Sequence, residues 1–313
     1  MAEKKIIAVM GATGAQGGGL MRAILAEPGG DFAARGITRD PSSDRAKALA
    51  DAGAEMVAAN SYDLDSLKRA FAGAYGIYCV SFFWHTLSAE KEGEEIRNMA
   101  AAAEAARPRH VIWSTLEDTR THIPLSDDRM PTLQGRYKVA HFDAKGEHDR
   151  AFSALPTTYM LASFYWENFI KFGQGPRPAA DGELVLALPI GSSKMAGIAA
   201  EDIGRCALGI LERGDALVGQ HIGVAGEQLT GDEMAAAFTR HLGRTVRYRA
   251  MSPAEYRALG FPGAEDMGNM YQFYDEFAHV VNATRNVARS RELNPKLQDF
   301  DTWLSAHKDA IPL

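Results

Sequence analysis

The sequence predicts an α/β protein, a doubly wound parallel sheet followed by a smaller C-terminal α+β lobe. Three observations predict it. Short apolar runs alternate with helix-period segments through the first half of the chain, the pattern of βαβ units. A glycine-rich segment joins the first apolar run to the first helix pattern. The alternation then stops near Ser163, where glycine and proline cluster.

In chain order, strands are expected near Ile6–Val9, Ala33–Thr38, Glu55–Ala59, Ile77–Ser81, His110–Ser114 and Thr158–Leu161. Helices are expected near Gly17–Leu25, Arg45–Ala52, Leu64–Ala72, Glu92–Ala106 and Lys145–Phe152. Leu64, Leu67 and Phe71 form one helical stripe after Asp63, a good N-cap; Ile96, Met99, Ala100 and Ala103 form another. Such stripes are packing surfaces rather than functional ones. The stretch from Ser163 to Met195, rich in glycine and proline, reads as a long loop of the lid-like kind. Beyond it, helices are expected at Ala200–Leu211 and Thr230–Leu242, and short strands at His221–Val224 and Thr245–Arg249. A last helix carries Phe300, Trp303 and Leu304. The expected division is a nucleotide-binding domain over 1–162 and a smaller substrate or partner lobe over 163–313, some of whose segments return to the first. Ligands of such sheets lie beyond the carboxyl ends of the strands, in a cleft between the lobes.

Composition narrows the function. The 313 residues are 46% hydrophobic and 24% charged, which suits a folded globular chain. A net charge of −6 argues against direct nucleic-acid binding, which draws its affinity from cations meeting phosphates. Cys79 and Cys206 are the two cysteines, too few and too far apart for a disulfide framework or a thiolate metal site. His122, His221, His241, His279 and His307 show no metal-ligand spacing, so no metal is expected. Lys4 and Lys5 precede an apolar run too short for a signal segment, and no run approaches the roughly 18 apolar residues of a membrane span. A cytoplasmic location, without membrane attachment, is the expectation.

Gly11-Ala12-Thr13-Gly14-Ala15-Gln16-Gly17 follows the first strand and opens the first helix. This GxxGxxG spacing is a variant of the Rossmann fingerprint. Gly11 serves the tight turn, Gly14 lets the backbone approach a pyrophosphate, and Gly17 permits close helix–strand packing. The helix start supplies N–H groups to the anion. Gln16, inside the loop, is expected near the same phosphates. At the end of the second strand an acid would bind both ribose hydroxyls, whereas an arginine receives a 2′-phosphate. Arg39 occupies that position and Asp40 falls one place late, so NADP(H) is favoured over NAD(H). Asp40 reads as a loop or cap residue before Pro41.

With these motifs the chain resembles the NmrA-like family of atypical short-chain dehydrogenase/reductases. The resemblance rests on GATGAQGG at Gly11–Gly18, on Thr38-Arg39-Asp40-Pro41 and on His141-Phe142-Asp143-Ala144-Lys145-Gly146-Glu147. Leu259–Ala264 and Asn269-Met270 are similar to the vertebrate redox-sensor members. The resemblance implies NADP(H) binding. Some relatives are NADP(H)-responsive regulators, and others reduce quinones. It implies that Gly11, Gly14 and Gly17, with Thr13 and Ala15, hold the pyrophosphate, that Arg39 recognises the 2′-phosphate, and that Lys145 hydrogen-bonds the nicotinamide ribose. Ser81, ending the fourth strand, joins the cofactor contacts. Asn60 stands where many relatives have an aspartate near the adenine. Leu161-Ala162-Ser163 replaces an Arg-x-Pro pattern, after which Glu167 and Asn168 match again.

The wider superfamily uses a tyrosine acid four residues before the lysine, with a serine on the fifth strand holding the carbonyl. Here that position is His141, and Tyr137 lies a further turn back on the expected helix. Ser114 takes the place of the serine. His141 either donates a proton or packs beside the ribose, and a lysine one turn away opposes a second positive charge there. Phe82, Phe83, Trp84 and His85 follow the fourth strand, and Tyr165, Trp166 and Phe169 follow the sixth. Of these, Phe82, Trp84, Tyr165 and Trp166 are the expected walls of a pocket for a flat substrate, with packing between lobes as the alternative. Two functions follow from these expectations: an NADP(H)-responsive sensor acting on a protein partner, or an NADPH-dependent reductase of quinones or similar planar acceptors. The acceptor, the partner and the oligomeric state stay open.

Overall fold

A computed structural model describes residues 3–313. The chain divides into two compact units. The first comprises residues up to Asp118, His141–Leu161 and Ala200–Ile222; the second comprises Thr119–Ala140, Ala162–Ala199 and Gly223–Leu313. The division expected at 162, with later segments returning to the first lobe, differs from this one in residues 119–140, which belong to the second unit. Residues 119–140 leave the first unit because their buried polar groups are satisfied in the second. Lys138 donates to the Asp127 and Met130 carbonyls, and its own carbonyl accepts from Asn269.

The first unit is the expected doubly wound sheet. Its elements run β1 (Lys5–Val9), α1 (Ala15–Leu25), β2 (Phe32–Thr38), α2 (Asp44–Asp51), β3 (Glu55–Ala58), α3 (Leu64–Phe71), β4 (Gly76–Cys79), α4 (Ala89–Ala106), β5 (His110–Thr115), α5 (Ala140–Gly146) and β6 (Thr157–Leu161). The strands order as β3-β2-β1-β4-β5-β6, with His221–Gly223 beyond β6. β1 to β6 pair in parallel throughout. The order reverses between β1 and β4, so the site-forming edge is where those two strands end.

Local chemistry sets the helix starts. The Asp63 carboxylate accepts from the amides of Asp65 and Ser66, each at 3.1 Å, and begins α3. Ser88 caps α4, which therefore starts three residues before the expected Glu92. The fifth helix is a correction. It spans Ala140–Gly146 rather than Lys145–Phe152, and a 3₁₀ turn covers Asp149–Phe152. Gly146 packs against the Asp118 backbone, where a Cβ would come within 3.0 Å of Asp118 Cα, and there the helix ends. Tyr137 consequently lies ahead of the helix, buried beside the guanidinium groups of Arg120 and Arg136. The core over one sheet face joins Leu67, Phe71, Ile96, Met99, Trp113 and Phe152, the two stripes read from the sequence among them.

The second unit holds two three-stranded sheets. One orders Glu227–Leu229, Met195–Ile198, Phe164–Tyr165; the other Val246–Ala250, Leu184–Leu188, Arg177–Pro178. The loop expected over Ser163–Met195 is thus corrected: it contains three strands and the helix Asn168–Lys171. Leu184, Leu186 and Leu188 are fully buried at period two, a strand signal only five residues long. Helix Gly231–Leu242 starts on a Thr230–Glu233 capping box. Helix Phe300–His307 adds Phe300 and Trp303 to a core with Trp166, Phe169 and Phe238. Among the described residues, no helix is long and apolar enough to cross a membrane.

Candidate functional site

The glycine loop is built by backbone conformation. Gly11 adopts φ +63°, which L side chains rarely take, and its carbonyl accepts from the Gly14 amide at 2.8 Å. A Cβ on Gly17 would collide with the Met10 and Gly11 carbonyl oxygens, so only glycine lets α1 approach β1 this closely. Gly14 is the N-cap of α1, with no side-chain cap bond and no acidic residue in the first turn. Gly14 is exposed, with Thr13 and Ala15 half-buried on either side of it. An uncapped helix start at the end of a strand, in a cradle that side chains would fill, fits a phosphate anion.

Gln16, expected near the phosphates, is hydrogen-bonded to the sheet. Its Oε1 accepts from Ser114 Oγ at 2.7 Å and from Tyr78 Oη, which ties the loop to β5 and β4. Ser114, 3% exposed, spends its proton on this contact. Tyr78 was not legible as part of the site, because it reads as one more apolar strand residue.

At the end of β2, Arg39 Nη1 lies 3.1 Å from His85 Nε2. Asp40 is occupied locally: its carboxylate accepts from Ser42 Oγ at 2.5 Å and the Ser42 amide at 2.9 Å. Those bonds, the hydroxyl's first, hold its carboxyl below the usual value. Asn60 is exposed, and its Oδ1 accepts from the Tyr62 amide at 3.1 Å, a turn contact.

Lys145 lies in a buried polar cluster. Its ammonium donates to Ser81 Oγ at 2.5 Å and to the Ser81 carbonyl at 3.3 Å, and pairs with Glu92 Oε1 at 3.1 Å. Ser81 Oγ in turn donates to the same carboxylate oxygen at 2.7 Å. Three acceptors thus meet the three donors of the ammonium. The Trp113 ring lies 5.1 Å away as a further cation–π contact. Glu92 has a fully buried side chain, and its Oε2 has no hydrogen-bond partner among the described residues. Nothing local in the sequence marked Glu92; its expected place was simply the start of a helix.

His141, in the position of the absent tyrosine, is 6% exposed and packed among aromatic rings. Its ring centroid lies 4.8 Å from Trp84, 5.8 Å from Phe83 and 4.7 Å from Phe142. Phe82 is 61% and Trp84 37% exposed. The other expected pocket wall is corrected. Trp166 is 2% exposed in the aromatic core of the second unit, while Tyr165 is half-buried. Inward Trp166 is a packing residue because Phe300 and Trp303 stand 5.3 and 6.0 Å from it. Burial pushes both cysteine thiols upward, so neither is a nucleophile at neutral pH.

A parallel sheet reversing at β1 and β4, with a glycine loop at that point, defines a Rossmann-type fold. Residues 3–304 match the family model described as NmrA-like family, and the chain belongs to that family. The NmrA-like family domain-containing oxidoreductase FrzB of Cladobotryum sp. is 28% identical over 289 residues, covering 86% of this chain and 83% of its own. The crystal structure of NmrA, a negative transcriptional regulator, in complex with NADP has the same fold. Its TM-score is 0.77 at 21% identity, over 100% of this chain and 99% of that one. Triphenylmethane reductase of Citrobacter sp., complexed with NADP(H), gives 0.74 at 18% identity, over 96% and 99%.

Proposed function

We propose that this protein binds NADP(H) along the β1/β4 edge of its first unit and acts as a redox-responsive sensor. The observation that carries the proposal is the state of the three groups a carbonyl reductase would use. Ser114 is spent on Gln16, Lys145 is neutralised by Glu92, and His141 is enclosed by rings. Recognition groups are present while the proton-donating apparatus is not. The NADP complex of NmrA supports the cofactor assignment by analogy of fold.

In this proposal the loop amides of Gly11–Gly17 hold the pyrophosphate and Arg39 holds the 2′-phosphate. Asn60 borders the adenine end, and Ser81 with Lys145 borders the nicotinamide ribose. When bound in its reduced form, the cofactor supplies a hydride. A sensor uses the difference between the two redox forms to shift a conformational equilibrium, and so the affinity for a protein partner.

A second reading, reduction of a planar acceptor, is favoured by one observation: partly exposed Trp84 lies against His141, with exposed Phe82 two residues before it in the chain. The acceptor would stack there and take its proton from water. The curated relative FrzB, named an oxidoreductase, agrees with this reading. Fluorescence titration with NADPH, followed by NADPH oxidation against a quinone panel, separates the two. Tight binding without acceptor-dependent oxidation supports the sensor. Saturable oxidation that Trp84→Ala reduces supports the reductase and overturns the sensor.

A further inference from the structure

Arg39 directly follows β2, and His85 ends the 3₁₀ turn Phe83–His85 after β4. Between β2 and β4 in the sheet lies β1, the strand that leads into the glycine loop. The 3.1 Å contact between Arg39 Nη1 and His85 Nε2 therefore links the ends of two non-adjacent strands across the loop-bearing one. An arginine N–H can only donate, so His85 Nε2 accepts and the ring proton resides on Nδ1. Asp40, the one carboxylate adjoining Arg39 in sequence, is engaged by Ser42. Among the described residues Arg39 has no carboxylate partner. Its charge is uncompensated, and its position is held by a neutral ring rather than by an anion that a ligand would have to displace.

Resting on the NADP(H) reading above, the geometry points to His85 as a second residue of 2′-phosphate recognition, a specificity determinant supplied from β4. Holding Arg39 in place before the ligand arrives lowers the ordering cost of the guanidinium. A phosphate monoester offers several acceptor oxygens, more than one guanidinium fork uses; when it takes the Arg39 N–H from His85, the released imidazole supplies another donor, through Nδ1–H or, after tautomer exchange, through Nε2–H. A nucleotide with a free 2′-hydroxyl offers no such anion. His85 therefore contributes to the discrimination between the two nucleotides and little to the affinity they share. The same turn sets Trp84 against His141, with ring centroids 4.8 Å apart.

The test uses calorimetric titration of the full chain with adenosine 2′,5′-bisphosphate and with 5′-AMP, and with NADPH and NADH. The proteins are the wild type, His85→Ala and Arg39→Ala, each checked by thermal unfolding. His85→Ala is expected to reduce the preference for the 2′-phosphorylated ligand of each pair by about tenfold, the size of one charge-assisted hydrogen bond. Affinity for 5′-AMP and NADH should stay within about twofold. Arg39→Ala should abolish the preference. If His85→Ala leaves the preference intact while Arg39→Ala removes it, the role of His85 is overturned and NADP(H) binding stands. Equal weakening of all ligands by His85→Ala also overturns it, because His85 would then support the loop rather than read the phosphate. If the wild type binds none of the four, the cofactor reading fails and this inference with it.

Discussion

The two ends of the β1/β4 edge handle positive charge in opposite ways. At one end Arg39 is exposed and lacks a carboxylate partner among the described residues, resting against a neutral imidazole. At the other, Lys145 is 8% exposed, and its ammonium meets a buried carboxylate and the two oxygens of Ser81. An exposed, uncompensated cation is ready to answer an incoming phosphate. A buried cation already paired can take a new partner only by giving one up, and the loss of a buried pair is costly. The difference teaches that the two cations, both expected from the sequence as cofactor residues, differ in task. Arg39 suits recognition, whereas Lys145 first of all holds together the ends of β4, α4 and α5.

The largest expected effect breaks the buried end. Glu92→Ala should lower unfolding stability by about 3–5 kcal/mol in urea titrations, because it strands the Lys145 charge. Adding Lys145→Met to Glu92→Leu should recover most of that loss, the behaviour of a pair rather than of two independent residues. Should Glu92→Ala prove neutral, the contrast between the two ends collapses.

Next in size, Arg39→Ala should weaken NADPH by tenfold or more, about 1.4 kcal/mol or above, while melting within a degree or two of wild type. A large drop in melting temperature would mean that Arg39 is structural as well. Smaller again, Ser114→Ala should cost about 1 kcal/mol of stability through its lost bond to Gln16, with NADPH affinity unchanged. A selective loss of NADPH binding in that variant would return Ser114 to the ligand.

The smallest effect separates acid sensitivity of the scaffold from that of the site. His110, at the start of β5, donates from Nε2 to Thr158 Oγ1 at 2.8 Å, and its Nδ1 is buried without a hydrogen-bond partner among the described residues. Burial, partly opposed by Asp215, lowers its pKa below 6.5. The unfolded chain then takes up a proton below pH 6.5 that the folded chain resists, so stability is lost as the pH falls from there toward the lowered value. His110→Gln, which cannot take up that proton, should show a shallower fall in melting temperature between pH 7 and pH 5. An equally steep fall would assign the sensitivity elsewhere.

How much of this was legible divides by sequence distance. The glycine loop, the place of Arg39 just after the second strand and the Asp63 cap were readable, since each is a property of a few consecutive residues. The strands of the first unit were readable to within two residues at each end, because the apolar runs and their bounding turns coincide. The fifth helix was misplaced because its end depends on Gly146 packing against Asp118, 28 positions away. The Ser163–Met195 strands were missed because two of the three are only two residues long, and the third shows just three buried leucines. Trp166 was assigned to a pocket on its place after a strand, but the Phe300 and Trp303 rings that enclose it come more than 130 residues later.

By itself the sequence determined the layered α/β class, the glycine turn at the end of the first strand and the identity of the residues at its edge. Periodicity and backbone preference are local, and a run of a few residues suffices to express them. Only the tertiary structure decided which of those residues remain available. Strand order sets β4 beside β1 and β5, and the packing of α4 and α5 brings Glu92 to Lys145. Together they bring Gln16 to Ser114 and His85 to Arg39. Those contacts decide whether a charge is spent within the fold or kept for a ligand. They depend on which elements become neighbours, a property that no stretch of chain carries alone.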